Sequence, residues 1–419
     1  PAYVPADAEI YRPEVLATIE ECLDSLDDDL RKLSLKIHDN PQLNFEETIA
    51  HDALTAFMAK HGFTVTKSYL GLQTAFRAEF ANGDGGRTLG VNSEMDALPG
   101  IGHACGHNLI AAAGAGVAVA VKAALIKHGI SGRVVLLGTP AEEGGCGKGI
   151  LLERGGYEGM DACVMCHPSA GTDEHTMVTS SLALQMMEIE YHGRTAHAGA
   201  QPWQGINALD AAVLAYTSIS ALRQQVKPDH RLHGTLAGRN WAANVIPDYA
   251  KMIWICRAPT WAEVEALRDR VISCLKAAAM ATGCEYNLEF KRPYYDLRMN
   301  KVLGNDYLAI TRARYDVPSR WDVATSASTD FGNVSYALPS LHPGFTILTD
   351  GDVSQNGNHT VGFAKAAGTL RAHKASMLVM KGLAHTGLRV LDDDNFYREV
   401  RLASPLLAYS WQRSDDVRR

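Results

Sequence analysis

Four short clusters carry the side chains that could do chemistry. Glu94-Met95-Asp96-Ala97-Leu98-Pro99 follows the apolar run Leu89–Val91. Pro140-Ala141-Glu142-Glu143-Gly144-Gly145 follows Val134–Leu137, and Cys166-His167-Pro168 follows Ala162–Met165. The fourth, Gly102-His103-Ala104-Cys105-Gly106-His107-Asn108, precedes a long apolar stretch. Cys105 and His107 stand one residue apart among small neighbours and can offer a thiolate and an imidazole to one site. Glu143 and His167 add a carboxylate and a second imidazole. A mixed S/N/O set of this kind suits a borderline divalent metal, zinc or manganese. Glu142 beside Glu143 suggests divided labour, one carboxylate binding metal while the other takes a proton from water. Bound metal lowers the pKa of a water to roughly 7, and a placed general base adds about 10²–10⁴ in rate. Taken singly, each feature has a plainer reading. A cysteine ahead of a helix is usually just buried, and paired glutamates in a loop are usually solvated; their joint placement after successive strands lifts the functional reading. Cys163-Val164-Met165-Cys166-His167 also matches the C-x-x-C-H haem attachment pattern, but it lies on a β-like apolar run and is set aside.

These clusters need elements to position them. Pro13 opens a helical pattern running to about Ile37, and a second helix spans about Glu46 to His61. Strand runs follow at Thr74–Phe80, Thr88–Val91, Arg133–Leu137 and Ala162–Met165, with the apolar helix from Leu109 to Ile126 between two of them. Strands alternating with helices predict a mostly parallel sheet covered by helices on both faces. Ligands of such sheets bind beyond the carboxyl ends of the strands, where three of the clusters fall. From about Ser180 the order becomes β-α-β-α-β, over Leu182–Tyr191, Gly205–Leu222, Ala250–Arg257, Ala262–Thr282 and Tyr286–Phe290. The expected architecture is an α/β catalytic domain, residues 1–180 and 293–419, interrupted by a smaller α+β lid or dimerisation domain at 181–292.

The chain has 419 residues, 46% hydrophobic and 21% charged, with a formal net charge of −7. That acidic balance argues against a nucleic-acid partner, which wants a basic face. The stretch Leu109–Ile126, interrupted by Lys122, reads as a buried core helix rather than a membrane span. Residues Pro1 to Pro13 lack a secretory signal pattern. Eight cysteines, at 22, 105, 146, 163, 166, 256, 274 and 284, therefore read as reduced thiols of a cytoplasmic protein.

In order and spacing, Glu94–Pro99, Gly102–Asn108, Pro140–Gly145, Cys166–Pro168 and Asn358-His359-Thr360 resemble the zinc-aminoacylase/carboxypeptidase metallopeptidase family. Its members include aminoacylase-1-like dipeptidases, indoleacetyl-amino-acid hydrolases and aminobenzoyl-glutamate hydrolases. The resemblance covers nearly the whole chain, including His38-Asp39-Asn40-Pro41 and Glu46-Glu47-Thr48. It implies a two-metal centre, Zn(2+) or Mn(2+), held by Cys105 as a bridge with His107, Glu143, His167 and His359. Glu142 would be the catalytic base and acid, and Asp96 an orienting group behind an imidazole. Asn108 stands where many relatives carry Asp. His342, in Leu341-His342-Pro343, competes with His359 for the late ligand position, which the resemblance gives to His359.

Within the insert, Gly193-Arg194-Thr195-Ala196-His197-Ala198 resembles the family's dimerisation or lid segment. There His197 would reach a partner chain's active site in a homodimer and stabilise the developing oxyanion. Asn244-Val245-Ile246-Pro247-Asp248 matches the same pattern, placing Asn244 on the substrate side. Arg257 is a candidate anchor for a substrate carboxylate, weighed against a structural salt bridge. Ser328-Thr329-Asp330 resembles a segment near the substrate without assignable roles. The expected activity is hydrolysis of the amide bond of a small N-acyl amino acid or dipeptide. The alternatives are hydrolytic deamination of an aromatic amine at the same site, and a non-catalytic metal-binding scaffold.

Overall fold

The structure is a computed structural model that describes residues 10–322 and 325–404. The ends of the chain that the domain reading includes, 1–9 and 405–419, lie outside the described residues. Within them the chain forms two compact units: 10–180, 298–322 and 329–404 in one, Ser181–Leu297 and Thr325–Ser328 in the other.

The first unit is built on a six-stranded sheet. Its spatial order is Thr64–Lys67, Phe76–Asn82, Gly132–Thr139, Arg87–Glu94, Ala162–Val164 and Ser340–Leu341. Strand Arg87–Glu94 runs parallel to Gly132–Thr139 on one side and to Ala162–Val164 on the other, and Ala162–Val164 runs parallel to Ser340–Leu341. Only Phe76–Asn82 runs against the other five strands, antiparallel to Thr64–Lys67 on one side and to Gly132–Thr139 on the other. Val134, Val135, Leu136 and Leu137 are wholly buried. Such a continuous apolar run is what a strand covered on both faces requires.

The helix His107–Lys127 packs on this sheet with nearly all its side chains buried. It is long and apolar enough to cross a membrane, yet most of it is enclosed in the fold. Its Ala, Gly and Val side chains allow close approach, and Ser93 Oγ donates to the carbonyl of Ala111 at 3.0 Å.

Two expectations about this unit are corrected. The pattern from Pro13 to Ile37 is two helices, Pro13–Ser25 and Asp27–His38. Three aspartates, Asp27 to Asp29, fill the first turn of the second, where carboxylates favour a helix start. A second sheet also appears that the sequence reading did not contain, ordered Ser319–Trp321, Thr176–Val178, Gly344–Leu348 and His167–Gly171.

The second unit is a four-stranded antiparallel sheet ordered Glu285–Phe290, Ala183–His192, Tyr249–Ala258 and Arg231–Gly238. Burial alternates residue by residue along Ala183–His192 and Tyr249–Ala258, so one face carries the core. Helices Ala208–Leu222 and Trp261–Thr282 cover that face, capped by the side chains of Asn207 and Thr260. The order is therefore β-α-β-β-α-β, and the expected β-α-β-α-β missed Arg231–Gly238. That strand is exposed at all but one residue, so it lacks the alternation that marks a half-buried strand.

Candidate metal centre

The three central parallel strands end side by side, which brings their following loops together. Strand Arg87–Glu94 delivers Glu94 and Asp96, Gly132–Thr139 delivers Glu142 and Glu143, and Ala162–Val164 delivers Cys166 and His167. Cys105 and His107 arrive from the start of the long helix. Its turn depends on Gly106, which has φ +83° and whose missing Cβ would lie 2.5 Å from Pro168 Cγ. His359 adopts a left-handed φ of +68° and donates its amide to the carbonyl of Ala104 at 2.8 Å. That bond ties a loop far along the chain to the Cys105 turn.

The outcome is two overlapping triads that share one thiol. Ligand atoms of Cys105, His107 and His167 lie within 4.8 Å of one another, and so do those of Cys105, Glu143 and His359. Cys105 Sγ is 3.3 Å from His167 Nε2, and His359 Nε2 is 3.4 Å from Glu143 Oε1. His342 is in neither triad; it stacks on His167 with ring centroids 5.8 Å apart.

Asp96 orders two of these groups. His107 Nδ1 donates to the Asp96 carbonyl at 2.8 Å, and Asp96 Oδ2 accepts the Glu143 amide at 2.9 Å. His167 Nδ1 likewise donates to the Pro168 carbonyl at 2.7 Å. Both imidazoles thus turn Nε2 into the cluster, the orientation that outer hydrogen bonds impose on metal-binding histidines. Asn108 takes no part: its Nδ2 donates to Ser34 Oγ and the Ala367 carbonyl.

The charges are arranged for a cation. Burial, then Glu94 and Glu143, push the Glu142 carboxyl well above its ordinary range. Burial works against the charge on Glu143, yet His359 and His107 hold it below the usual value. Burial also opposes charge on His107, and Cys105 and Asp96 outweigh it. Burial pushes the Cys105 thiol up. Glu143 Oε1, His107 Nε2 and Glu94 Oε2 are buried with no hydrogen-bond partner. Such orphaned atoms are costly unless something else satisfies them, and a divalent ion bound by thiolate, imidazole and carboxylate fits this donor set.

One participant went unseen in the sequence. Lys148, wholly buried, places Nζ 2.6 Å from Glu94 Oε1 and 2.6 Å from Asp330 Oδ1. Its amide donates to Asp330 Oδ2 at 2.9 Å. Burial would raise Glu94, but Lys148 and His107 bring it down to about 2. Burial raises Asp330 to about 6 against the pull of Lys148. A lysine between Gly147 and Gly149, just past an acidic loop, reads as solvated, and no local signal marks it otherwise. Asp330 thereby gains a place in the first unit, whereas Ser328 accepts a hydrogen bond from Arg257 in the second.

The remaining sequence candidates belong to the second unit. His197 Nδ1 accepts the amides of Gly199 and Ala200, each at 3.1 Å, which leaves the proton on an exposed Nε2. Val245 bridges to His197, and the Ala198 amide donates to the carbonyl of Asn244 at 3.0 Å, so Asn244 lies beside His197. Arg257 reaches Ser328 Oγ at 3.1 Å and His233 Nε2 at 3.3 Å. Among the described residues no carboxylate pairs with it.

A mostly parallel α/β sheet that presents this cluster at its strand ends defines a hydrolase of the peptidase type. The chain belongs to peptidase family M20/M25/M40, whose match spans residues 90–368. It is 40% identical over 403 residues to the Xaa-Arg dipeptidase of Mus musculus, covering 92% of this chain and 90% of that one. It is 38% identical over 402 residues to the Xaa-Arg dipeptidase of Homo sapiens, covering 91% and 90%. A Bacillus subtilis dinuclear metal binding peptidase of the M20 family shares the fold. Its TM-score is 0.64 at 18% identity, over 88% of this chain and 99% of that one.

Proposed function

We propose that this protein is a two-metal hydrolase of the amide bond in a small dipeptide or N-acyl amino acid, with zinc or manganese at both positions. The observation that carries the reading is the pair of ligand triads sharing Cys105, with Glu142 in contact range of His107 and Glu143. A dipeptide is the first choice of substrate, because the mouse and human relatives are named for one. The metals, when bound, supply an acidified water and a polarised carbonyl. Glu142 accepts the proton of that water as it attacks and passes it to the leaving amine. Burial beside two carboxylates supports this role, since it makes Glu142 more basic than a solvated glutamate. Arg257, with no acidic partner among the described residues, binds the substrate carboxylate as a fork, and Asn244, which lies beside His197, contacts the substrate together with it.

A homodimer through the inserted unit belongs to the same reading. Arg231–Gly238 is an edge strand, and Val213, Leu214 and Tyr216 on the helix Ala208–Leu222 are exposed apolar side chains. Unpaired edges and apolar patches are the features a symmetric partner covers. His197 of one chain then donates Nε2–H to the oxyanion formed in the other.

One complementation experiment tests the proposal. Glu142→Gln, with metal content kept, and His197→Ala should each lose about 10²–10³ or more in rate. Mixed and allowed to exchange subunits, they should recover towards about a quarter of wild-type activity. Half of randomly mixed dimers are heterodimers, and each holds one intact site of two. Near wild-type turnover by Glu142→Gln sinks the base assignment, and no recovery despite exchange sinks the shared site.

A further inference from the structure

Glu94 has only one of its two carboxylate oxygens satisfied. Lys148 Nζ holds Oε1 at 2.6 Å, while Oε2 is wholly buried, has no hydrogen-bond partner and lies 3.4 Å from His107 Nε2. The tautomer of His107 makes this contact informative. Its Nδ1 faces the Asp96 carbonyl at 2.8 Å, and a carbonyl can only accept, so Nδ1 carries the proton. In the neutral ring Nε2 is then a bare lone pair, pointed at a carboxylate oxygen in a site closed to water. Two acceptors facing each other repel unless a cation lies between them. A proton serves poorly, because 3.4 Å exceeds the range of a good N–H···O bond.

A metal ion fits the spacing. Oxygen and nitrogen ligands at about 2.0–2.2 Å from one tetrahedral ion lie roughly 3.3–3.5 Å apart. Glu94 Oε2 and His107 Nε2 are 3.4 Å apart, as are Glu143 Oε1 and His359 Nε2 in the other triad. Lys148 supplies the orientation. Its ammonium, fixed also by Asp330, grips one oxygen of Glu94 and turns the other towards His107.

We infer that Glu94 is a further ligand of the metal ion held by Cys105, His107 and His167, and that Lys148 is the positioning residue that presents it. This rests on the two-metal reading and adds a donor to the set that the sequence resemblance implies. It completes four protein donors at that ion, so the other ion, held by Cys105, Glu143 and His359, is the one with more room for substrate.

Cobalt(II) titration of the metal-free protein tests it, read by visible absorption and by competition with a chromophoric chelator. Wild type should bind two equivalents. In Glu94→Gln the amide oxygen still accepts from Lys148, and the amide nitrogen can donate to His107 Nε2, so the packing is kept. One equivalent should weaken by at least about tenfold with altered d–d bands, while the other keeps its affinity. Should that variant fail to fold by circular dichroism, Glu94→Asp keeps the charge and withdraws the oxygen by about one C–C bond, roughly 1.5 Å. It should give the same result. Two equivalents bound with the wild-type d–d spectrum overturn the inference, and so does a weakened equivalent with unchanged bands, which places Glu94 outside the ion's coordination. Failure of wild type to bind cobalt overturns the two-metal reading itself.

Discussion

The loop that carries Glu142 and Glu143 is held by a contact that only glycine permits. A Cβ on Gly147 would lie 1.8 Å from the Pro140 carbonyl oxygen and 2.9 Å from its carbon, both backbone atoms. Gly147→Ala must therefore separate the two ends of the loop by about 1.2 Å before even the tightest normal contact is reached. Pro140 continues directly from the buried strand Gly132–Thr139, so the displacement falls on the loop and on Lys148. Gly147 has no left-handed φ, so the effect is steric rather than conformational. Overpacking of this kind costs about 1–3 kcal/mol, and displacing a catalytic group by about 1 Å costs about 10²-fold in rate. The assay is kcat/KM on a dipeptide together with thermal melting and metal content. Gly144→Ala in the same loop is the control, because its Cβ would meet only the side-chain nitrogen of Asn44, at 2.8 Å, which can swing aside. It should stay within about threefold of wild type. If Gly147→Ala keeps wild-type kcat/KM and melting temperature, the claim that this contact sets the position of the two glutamates is wrong.

Two further outcomes follow from other parts of the chain. Arg257→Ala should raise KM roughly tenfold or more for substrates with a free carboxylate, since a charge-assisted pair is worth about 1.5–3 kcal/mol. An equal effect on carboxylate-free amides would refute the anchor. His385 is wholly buried, donating Nε2 to the Tyr11 carbonyl at 2.7 Å, and burial holds its pKa below the ordinary imidazole value. The unfolded chain therefore takes up this proton first, at about pH 6.5. The stability present above that pH is lost as pH falls towards the folded value, so melting temperature should drop between about pH 7.5 and 5.5. His385→Gln should flatten that slope, and parallel slopes would exclude His385 as its source.

Much of the centre was legible before any coordinates. Polar clusters directly after apolar strand runs are a local pattern, and the geometry of a parallel sheet makes adjacent strand ends converge. Glu94, Asp96, Glu142, Glu143 and His167 thus had to approach one another once Arg87–Glu94, Gly132–Thr139 and Ala162–Val164 became neighbours. The burial of His107–Lys127 was equally readable, because a long run of Ala, Val and Gly has no polar face to offer water.

What the tertiary structure alone decided concerns contacts between segments far apart in sequence. Lys148 carries no local mark of burial; its place depends on Asp330 arriving from 182 residues away. The same holds for the second sheet, whose three- to five-residue strands are too short to show a period by themselves. Arg231–Gly238 escaped notice because an edge strand open to solvent has no buried face to impose alternation. His359, rather than His342, lies beside Cys105 and Glu143, where one left-handed residue and its amide bond to Ala104 hold its loop. Spacing along a chain records which side chains are available, but long-range backbone hydrogen bonds and buried charge pairs form only after the loops close, and they select which of those side chains meet.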